Sequence, residues 1–215
     1  DYYDTPIEDA TVAVQGFGNA GSVAARLLDD AGADVIAVSD SAGGIHDPEG
    51  LDVPGVEAHK EETGQVTNYH GTNAMSNEEP LTLDVDILIP AALENAIDEE
   101  IADEVDADMI LEAANGPTTN EANSILVESG VRIFPDILAN AGGVIVSYLE
   151  WVQNTQRHSW SKEKVHEKLK DRMSDAFDDV MEAHESIDTD CLRTAAYTVA
   201  LERVAKSHDM RGLYP

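Results

Sequence analysis

The sequence is poor in cysteine and in basic residues, and it has no long apolar run. Cys191 is the only cysteine among 215 residues, which excludes an internal disulfide, a cysteine-cluster zinc site and a CxxC redox motif. No run approaches the roughly 20 apolar residues of a membrane-spanning helix. The N-terminal residues also lack the basic stretch and apolar stretch of a signal peptide. We therefore expect a cytoplasmic protein with no membrane partner.

The scarcity of basic residues leaves the chain strongly acidic. It has 43 acidic and 13 basic residues, for a net charge of −30, and before residue 151 the basic residues are Arg26, Lys60 and Arg132. Such a charge repels phosphate backbones and anionic lipids, which argues against nucleic acid and membrane surfaces as partners. Because the acidic residues alternate with regular apolar positions, we expect a folded protein with a carboxylate-rich surface, suited to the salt-rich cytoplasm of a halophile.

Metal-binding patterns are also missing. No pair of histidines has metal-ligand spacing, and no segment resembles an HExxH helix. The sequence therefore predicts no metal site.

Apolar strands and helices alternate over residues 1–136. The predicted strands are 11–15, 33–40, 84–93, 106–115 and 131–136, and the predicted helices are 19–30, 53–63, 98–105 and one from 118 onward. This alternation is typical of an α/β protein with a Rossmann-like, doubly wound parallel sheet. Three helices follow, at 139–158, 161–186 and 189–211. We therefore expect a dinucleotide-binding domain at 1–150 and C-terminal helices at 151–215, packing back on it or on another domain.

The first strand leads into the G-x-G-x-x-G pattern of Gly16, Gly18 and Gly21. In a dinucleotide site the first glycine makes the tight turn and the second lets the pyrophosphate approach the backbone. The third lets helix and strand pack closely. Phosphate charge then lies at the helix N-terminus. A glycine-rich turn without a ligand is the alternative, but the strand, the helix and Asp40 at the end of the second strand favour dinucleotide binding.

Asp40 stands where a carboxylate can accept hydrogen bonds from the adenosine ribose. It would repel a 2′-phosphate, which favours NAD over NADP. Ser41 could hold a phosphate, although no arginine is near in sequence, so NADP remains the alternative cofactor. Asn115 and Asn140 follow two later strands, and their side-chain amides could form hydrogen bonds with ribose hydroxyls or with a carboxamide. The alternative is that these asparagines only cap turns.

Five ordered segments, QGFGNAG, VSDSAGGIHDPEGLD, LIPAALENAI, EAANGPTTNEA and PDILANAGGVIVSYLEWVQN, resemble the nucleotide-binding domain of glutamate dehydrogenases. The resemblance covers essentially the whole chain and implies a role for each matching residue. The family's pyrophosphate turn corresponds to Phe17, Gly18, Asn19 and Ala20, and its adenosine-ribose positions correspond to Asp40 and Ser41. Its cofactor cleft corresponds to Ala91 and Ala92, and its nicotinamide-ribose side corresponds to Asn115 and Asn140. The position that binds the substrate's side-chain carboxylate corresponds to Ser147.

The resemblance implies oxidative deamination of L-glutamate to 2-oxoglutarate and ammonia, in an enzyme that is usually a homohexamer. The family's N-terminal substrate domain, with its glycine-rich lysine motif and catalytic aspartate, has no match here. Lys60, the only lysine before residue 162, lies in a polar segment without that motif. We therefore expect no catalytic residue in this chain and no turnover by the chain alone, whether it is an excised domain or the partner of a separate catalytic chain.

Two alternatives stay open at this point. One is a related dehydrogenase of branched-chain or aromatic amino acids, although the resemblance implies that these lack a serine at the position of Ser147. The other is a dinucleotide-binding or sensing module without chemistry of its own.

Overall fold

The computed structural model describes residues 6–8, 10–187 and 189–212, which alternate strands and helices before ending in helices alone. The elements are β1 Thr11–Gln15, α1 Asn19–Asp30, β2 Asp34–Asp40, β3 Gly43–His46, α2 Val53–Thr63, β4 Asn73–Met75, a 3₁₀ turn Glu79–Thr82, β5 Val85–Pro90, α3 Glu99–Ala102, β6 Ala107–Leu111, α4 Asn120–Glu128, β7 Arg132–Phe134, α5 Asp136–Ala139, α6 Ala141–Gln156, α7 Lys162–Ser186 and α8 Leu192–Arg211.

The strands form one sheet of seven in the order β4-β3-β2-β1-β5-β6-β7. Strand β1 pairs in parallel with both β2 and β5, and β5 pairs in parallel with β6. The order reverses at β1, so the chain has the doubly wound α/β architecture predicted from the sequence. The prediction missed one feature: β3 and β4 add an antiparallel edge beyond β2.

Helices cover both faces of this sheet, because successive residues of each strand point to opposite sides. Val12 and Val14 of β1 belong to a buried cluster that also contains residues of α1 and α2. Ala13 and Leu88 belong to a second cluster, with residues of α3 and α4. The two clusters hold the central strands in the middle layer of the fold, so their carboxyl ends share one edge.

Leu88 in the central strand β5 offers a direct test of this layered core. Its side chain has 0% exposure. Leu88→Ala should lower the free energy of unfolding by ~3 kcal/mol, through lost burial and the cavity left behind. Leu27 on α1 is the matched control, because it is 59% exposed and Leu27→Ala should change stability by less than about 0.5 kcal/mol. Chemical denaturation of both variants measures the difference, and equal losses would contradict the assignment of the core.

Local capping explains why α2 occupies the predicted range. Asp52 precedes the helix and accepts a hydrogen bond from the Gly55 amide at 3.1 Å, which satisfies one of the free donors of the first turn. Pro54 fits the first turn, and Gly64 ends the helix in a left-handed conformation with φ of 83°. The position of this helix matters because it carries Lys60.

The chain divides into two compact units, up to Ile133 and from Phe134 onward. In the second unit α7 packs against α6 and α8, and its buried side chains include those of Leu138, Leu149, Val180, Met181, Leu192, Ala195 and Ala196. Three long helices were predicted here and are confirmed, with the short α5 in addition. The structural division lies before the predicted functional boundary at residue 150, which stays a prediction.

None of the helices in the described ranges is long and apolar enough to cross a membrane.

Candidate functional site

A glycine-rich turn connects β1 to α1 and is tied to the neighbouring strand. The amides of Gly16 and Phe17 both donate to the Ser39 carbonyl, at 3.0 and 2.6 Å. Gly16 has φ of 102°, a left-handed conformation that favours glycine. A Cβ atom there would lie 2.7 Å from the Ala92 amide nitrogen. The predicted cofactor-cleft residues after β5 therefore contact the turn directly.

Gly21 and Gly18 have opposite surroundings, although both belong to the glycine pattern. A Cβ atom on Gly21 would lie 1.9 Å from the Gly16 carbonyl oxygen, so only glycine allows the helix to sit this close to the turn. A Cβ atom on Gly18 would meet no heavy atom within 4 Å among the described residues. Gly21 is therefore needed for the close packing of the turn against α1. Gly18 instead leaves open space in which a bound ligand could lie.

That space lies at the N-terminus of α1, where Asn19 and Ala20 begin the helix. Gly18 is the N-cap and has no side chain that could accept a hydrogen bond from the first amides of the helix. The first amide groups of a helix lack intrahelical acceptors and carry partial positive charge. An anionic group such as a pyrophosphate fits both the open space and these donors.

Asp40 ends β2 beside the turn, and its side chain is buried to 8% exposure. Oδ1 accepts a hydrogen bond from the Ala42 amide at 2.9 Å, and Oδ2 accepts one from the Val66 amide at 2.9 Å. Burial raises the pKa of Asp40, but the hydrogen bond from Lys60 and those from the two amides outweigh it and lower the pKa below its usual value. Ionised Asp40 therefore stabilises the fold at neutral pH, and this contribution is lost as the pH falls through the lowered pKa.

Lys60 is the site residue that the sequence did not reveal. Its Nζ atom donates to Asp40 Oδ2 at 2.9 Å and to the Phe17 carbonyl at 2.8 Å. A usable signal was present, since Lys60 is one of very few basic residues in the acidic first part of the chain. A surface pocket of about 380 Å³ adjoins it, lined by Phe17, Gly18, Asn19, Ser22, Arg26, Glu57, Lys60 and Glu61.

The loops after β5 and β6 lie on the same edge of the sheet as the turn. The Ala91 amide donates to the Gln15 carbonyl at 2.7 Å, and the Asn95 amide donates to the Gly116 carbonyl at 2.8 Å. Asn115, in the loop after β6, is exposed, and so is Ser41 after β2. The structure thus gathers the predicted residues of the first unit along the carboxyl ends of the parallel strands, where ligands bind in such folds.

Asn140 and Ser147 belong to the second unit. Asn140 stands at the junction of α5 and α6 and is half-buried. Ser147 is exposed on α6, and its hydroxyl donates to the Gly143 carbonyl of the same helix at 3.0 Å. Their roles toward a nicotinamide ribose and a substrate stay predictions.

The residues present fit a dinucleotide. The turn offers open space at Gly18, the helix offers uncapped amides, and Asp40 keeps acceptor capacity for a hydroxyl. Within the described ranges, no group of three or more histidine, cysteine, aspartate or glutamate side chains is placed to hold a metal ion.

Relatives of known identity match this chain throughout. It is 58% identical to the NADP-specific glutamate dehydrogenase A1 and 51% identical to the NAD-specific glutamate dehydrogenase A, both of Halobacterium salinarum. These matches cover 100% of this chain and 52% and 49% of those proteins. The hetero-hexameric glutamate dehydrogenase of Thermus thermophilus superposes with a TM-score of 0.92 and 36% identity, over 99% of this chain and 50% of that one.

The chain therefore spans about half the length of these relatives. The family profile of Glutamate/Leucine/Phenylalanine/Valine dehydrogenase matches residues 1–212. With the Rossmann-like sheet, the glycine-rich turn and these matches together, the chain belongs to the Glutamate/Leucine/Phenylalanine/Valine dehydrogenase family.

Proposed function

We propose that the chain is the dinucleotide-binding half of a glutamate dehydrogenase, which deaminates L-glutamate oxidatively to 2-oxoglutarate and ammonia. The observation that carries this proposal is the open space at Gly18, at an uncapped helix N-terminus close to the buried carboxylate of Asp40. The relatives named glutamate dehydrogenases, to which the chain is 51–58% identical, support the choice of substrate.

NAD is the proposed cofactor, and NADP is also accommodated. A lone carboxylate at position 40 would repel a 2′-phosphate, but Lys60 forms an ion pair with Asp40 at 2.9 Å and offsets that repulsion. Asp40 paired with Lys60 therefore discriminates less strongly against NADP than an unpaired carboxylate would. Of the two relatives from Halobacterium salinarum, one is named NADP-specific and the other NAD-specific. Both specificities therefore occur among close relatives, which supports a site that small changes can adapt to either cofactor.

The residues of the chain would bind and orient the cofactor. The turn formed by Phe17, Gly18, Asn19 and Ala20 holds the pyrophosphate at the start of α1, and Asp40 and Ser41 hold the adenosine ribose. In the first unit, Ala91 and Ala92 line the cofactor cleft, and Asn115 is assigned to the nicotinamide ribose. In the second unit, the resemblance to glutamate dehydrogenases assigns Asn140 to the nicotinamide ribose and the Ser147 hydroxyl to the side-chain carboxylate of the substrate. When bound, the nicotinamide accepts a hydride from the substrate.

We infer that the remaining chemistry belongs to a separate substrate domain of the whole enzyme. We assign the catalytic lysine and aspartate to that domain, and closure of the two domains would exclude water from the reaction.

The second unit has an exposed apolar surface that could contact another domain or subunit. On α6, Val144, Tyr148 and Trp151 are 74%, 46% and 62% exposed. Exposed apolar faces of this kind usually contact another domain or subunit.

We further propose a hexameric whole enzyme that works in a salt-rich cytoplasm. The relative from Thermus thermophilus is described as hetero-hexameric, and a homohexamer is the arrangement we expect here. The net charge of −30 suits a high-salt environment, where screening reduces repulsion between carboxylates.

The test of the proposed function is a pair of assays on this chain at high salt. NADH binding, followed by fluorescence, should be saturable, because the first unit contains the glycine-rich turn and Asp40, which we propose hold the pyrophosphate and the adenosine ribose. Formation of NADH from NAD and glutamate, followed by absorbance, should stay at the level of a no-protein control, because we assign the catalytic lysine and aspartate to the substrate domain. Appreciable turnover by the chain alone would contradict the proposed division of labour.

A further inference from the structure

Lys60 joins the two parts of the candidate cofactor site that the sequence keeps 23 residues apart. Its single Nζ atom lies 2.8 Å from the Phe17 carbonyl in the glycine-rich turn and 2.9 Å from Asp40 Oδ2 at the end of β2. It also lies 5.9 Å from the centre of the Phe17 ring. We propose, on the basis of the proposed function, that Lys60 is a positioning residue that holds the turn and Asp40 ready for the adenosine half of the cofactor.

The hydrogen-bond capacity of Asp40 shows what this contact does. A carboxylate accepts about four hydrogen bonds. Oδ2 accepts from Lys60 and from the Val66 amide, whereas Oδ1 accepts from the Ala42 amide. Among the described residues, one acceptor position is left, on Oδ1. Asp40 can therefore bind one ribose hydroxyl, and Lys60 fixes which oxygen atom faces it.

Lys60 also has capacity left. An ammonium group has three donors, and the contacts to Phe17 and Asp40 use two of them. The Lys60 side chain is 27% exposed, compared with 8% for Asp40. The pair therefore offers one acceptor and one donor next to each other, a pattern that suits the two neighbouring hydroxyls of a ribose.

The environment of Asp40 makes the contact electrostatically important. Burial opposes ionisation of this carboxylate, and the hydrogen bond from Lys60 is the largest influence that lowers its pKa. Without Lys60, the pKa of Asp40 should rise from its lowered value, although the Ala42 and Val66 amides still lower it. Protonation would then begin at a higher pH and weaken Asp40 as an acceptor for the ribose. Among the described residues, the pocket that adjoins Lys60 is also lined by the charged side chains of Arg26 and Glu57, which pair at 3.2 Å, and of Glu61.

A purely structural role for Lys60 makes a different prediction. If Lys60 only anchored α2 to the sheet, its removal would lower stability, but the folded fraction would bind the cofactor normally at every pH. A positioning role instead changes the affinity for the adenosine half and makes that affinity depend on pH. The nicotinamide half should be unaffected in either case.

The experiment compares the wild-type chain with Lys60→Met, Lys60→Arg and the control Lys170→Met. Lys170 is exposed on α7 in the second unit. NADH and ADP-ribose are titrated at about pH 8 and at about pH 5.5. A carboxyl group whose pKa has risen would be ionised at the higher pH and would begin to take up a proton towards the lower pH. Circular dichroism at each pH confirms that the variants are folded.

We expect Lys60→Met to raise the Kd of NADH and of ADP-ribose about tenfold at the higher pH, as loss of a charged hydrogen bond allows. The increase should be larger at the lower pH, while Lys60→Arg restores most of the affinity and Lys170→Met changes nothing. If Lys60→Met does not fold, Lys60→Gln, which keeps a donor but no charge, should show the same loss at low pH.

Affinities within about twofold of wild type at both pH values, for a folded neutral variant, would overturn the positioning role. That outcome leaves the proposed function standing, because wild type still binds NADH. If the folded wild-type chain binds neither NADH nor ADP-ribose, the proposed function fails, and the role of Lys60 fails with it.

Discussion

Gly18→Ala should raise the Kd of NADH by about 100-fold, equivalent to ~3 kcal/mol, while leaving the fold intact. A Cβ atom at this position meets no heavy atom within 4 Å among the described residues. The backbone of Gly18, with φ of −89°, is also accessible to alanine. We therefore expect Gly18→Ala to leave the free energy of unfolding of the unliganded protein unchanged. The added methyl group would instead occupy the space through which the pyrophosphate approaches the helix N-terminus.

Gly21→Ala is the matched variant with the opposite expected result. Its Cβ atom would lie 1.9 Å from the Gly16 carbonyl oxygen, a backbone atom that cannot rotate away. We expect a loss of ~3 kcal/mol in the free energy of unfolding, since the turn or the helix must shift. Denaturation curves and NADH titrations on both variants separate the two effects. If Gly18→Ala binds NADH as wild type does, no phosphate lies over the turn.

Asp40→Asn should weaken NADH binding about 30-fold, because one charge-assisted hydrogen bond to the ribose is worth ~2 kcal/mol. The effect on NADPH should be smaller, within about threefold, because the change also removes a negative charge that opposes the 2′-phosphate. The ratio of the two affinities therefore moves toward NADPH. Fluorescence titrations with both reduced cofactors measure it directly.

Asp34→Asn is the control for Asp40→Asn. Asp34 begins the same strand, β2, and is exposed at the opposite end from the site. Its replacement makes the same change in net charge but should leave both affinities unchanged. An equal loss of NADH binding in the two variants would mean that overall charge, and not the position of Asp40, controls affinity.

Most of the fold was predictable because its elements have strong local signals. The limits of α1, α2 and β1 agree with the sequence prediction. The apolar residues of α1 recur with helical spacing, and β1 is a short apolar run that ends at the glycine-rich turn. Strands β3 and β4 were missed because they are short and contain glycine, asparagine and methionine in place of an apolar run. Their pairing depends on contacts between distant segments, which a local pattern does not encode.

The site was predictable where backbone geometry determines it. Gly16 and Gly21 are required by a left-handed turn and a close helix contact, and both requirements follow from the spacing of the pattern. Lys60 was not predictable in this way, because α2 brings it to Asp40 only after the chain has passed through β3. Ser147 illustrates a different limit, since its proposed partner is a substrate and not another residue of this chain.

This chain should bind a dinucleotide through the turn at Gly18 and the carboxylate of Asp40. The decisive measurement is an NADH titration of the folded wild-type chain, repeated in the presence of excess ADP-ribose. We expect saturable binding at one site per chain and competition by ADP-ribose. Absence of saturable binding, with a circular dichroism spectrum that shows the folded protein, would contradict it.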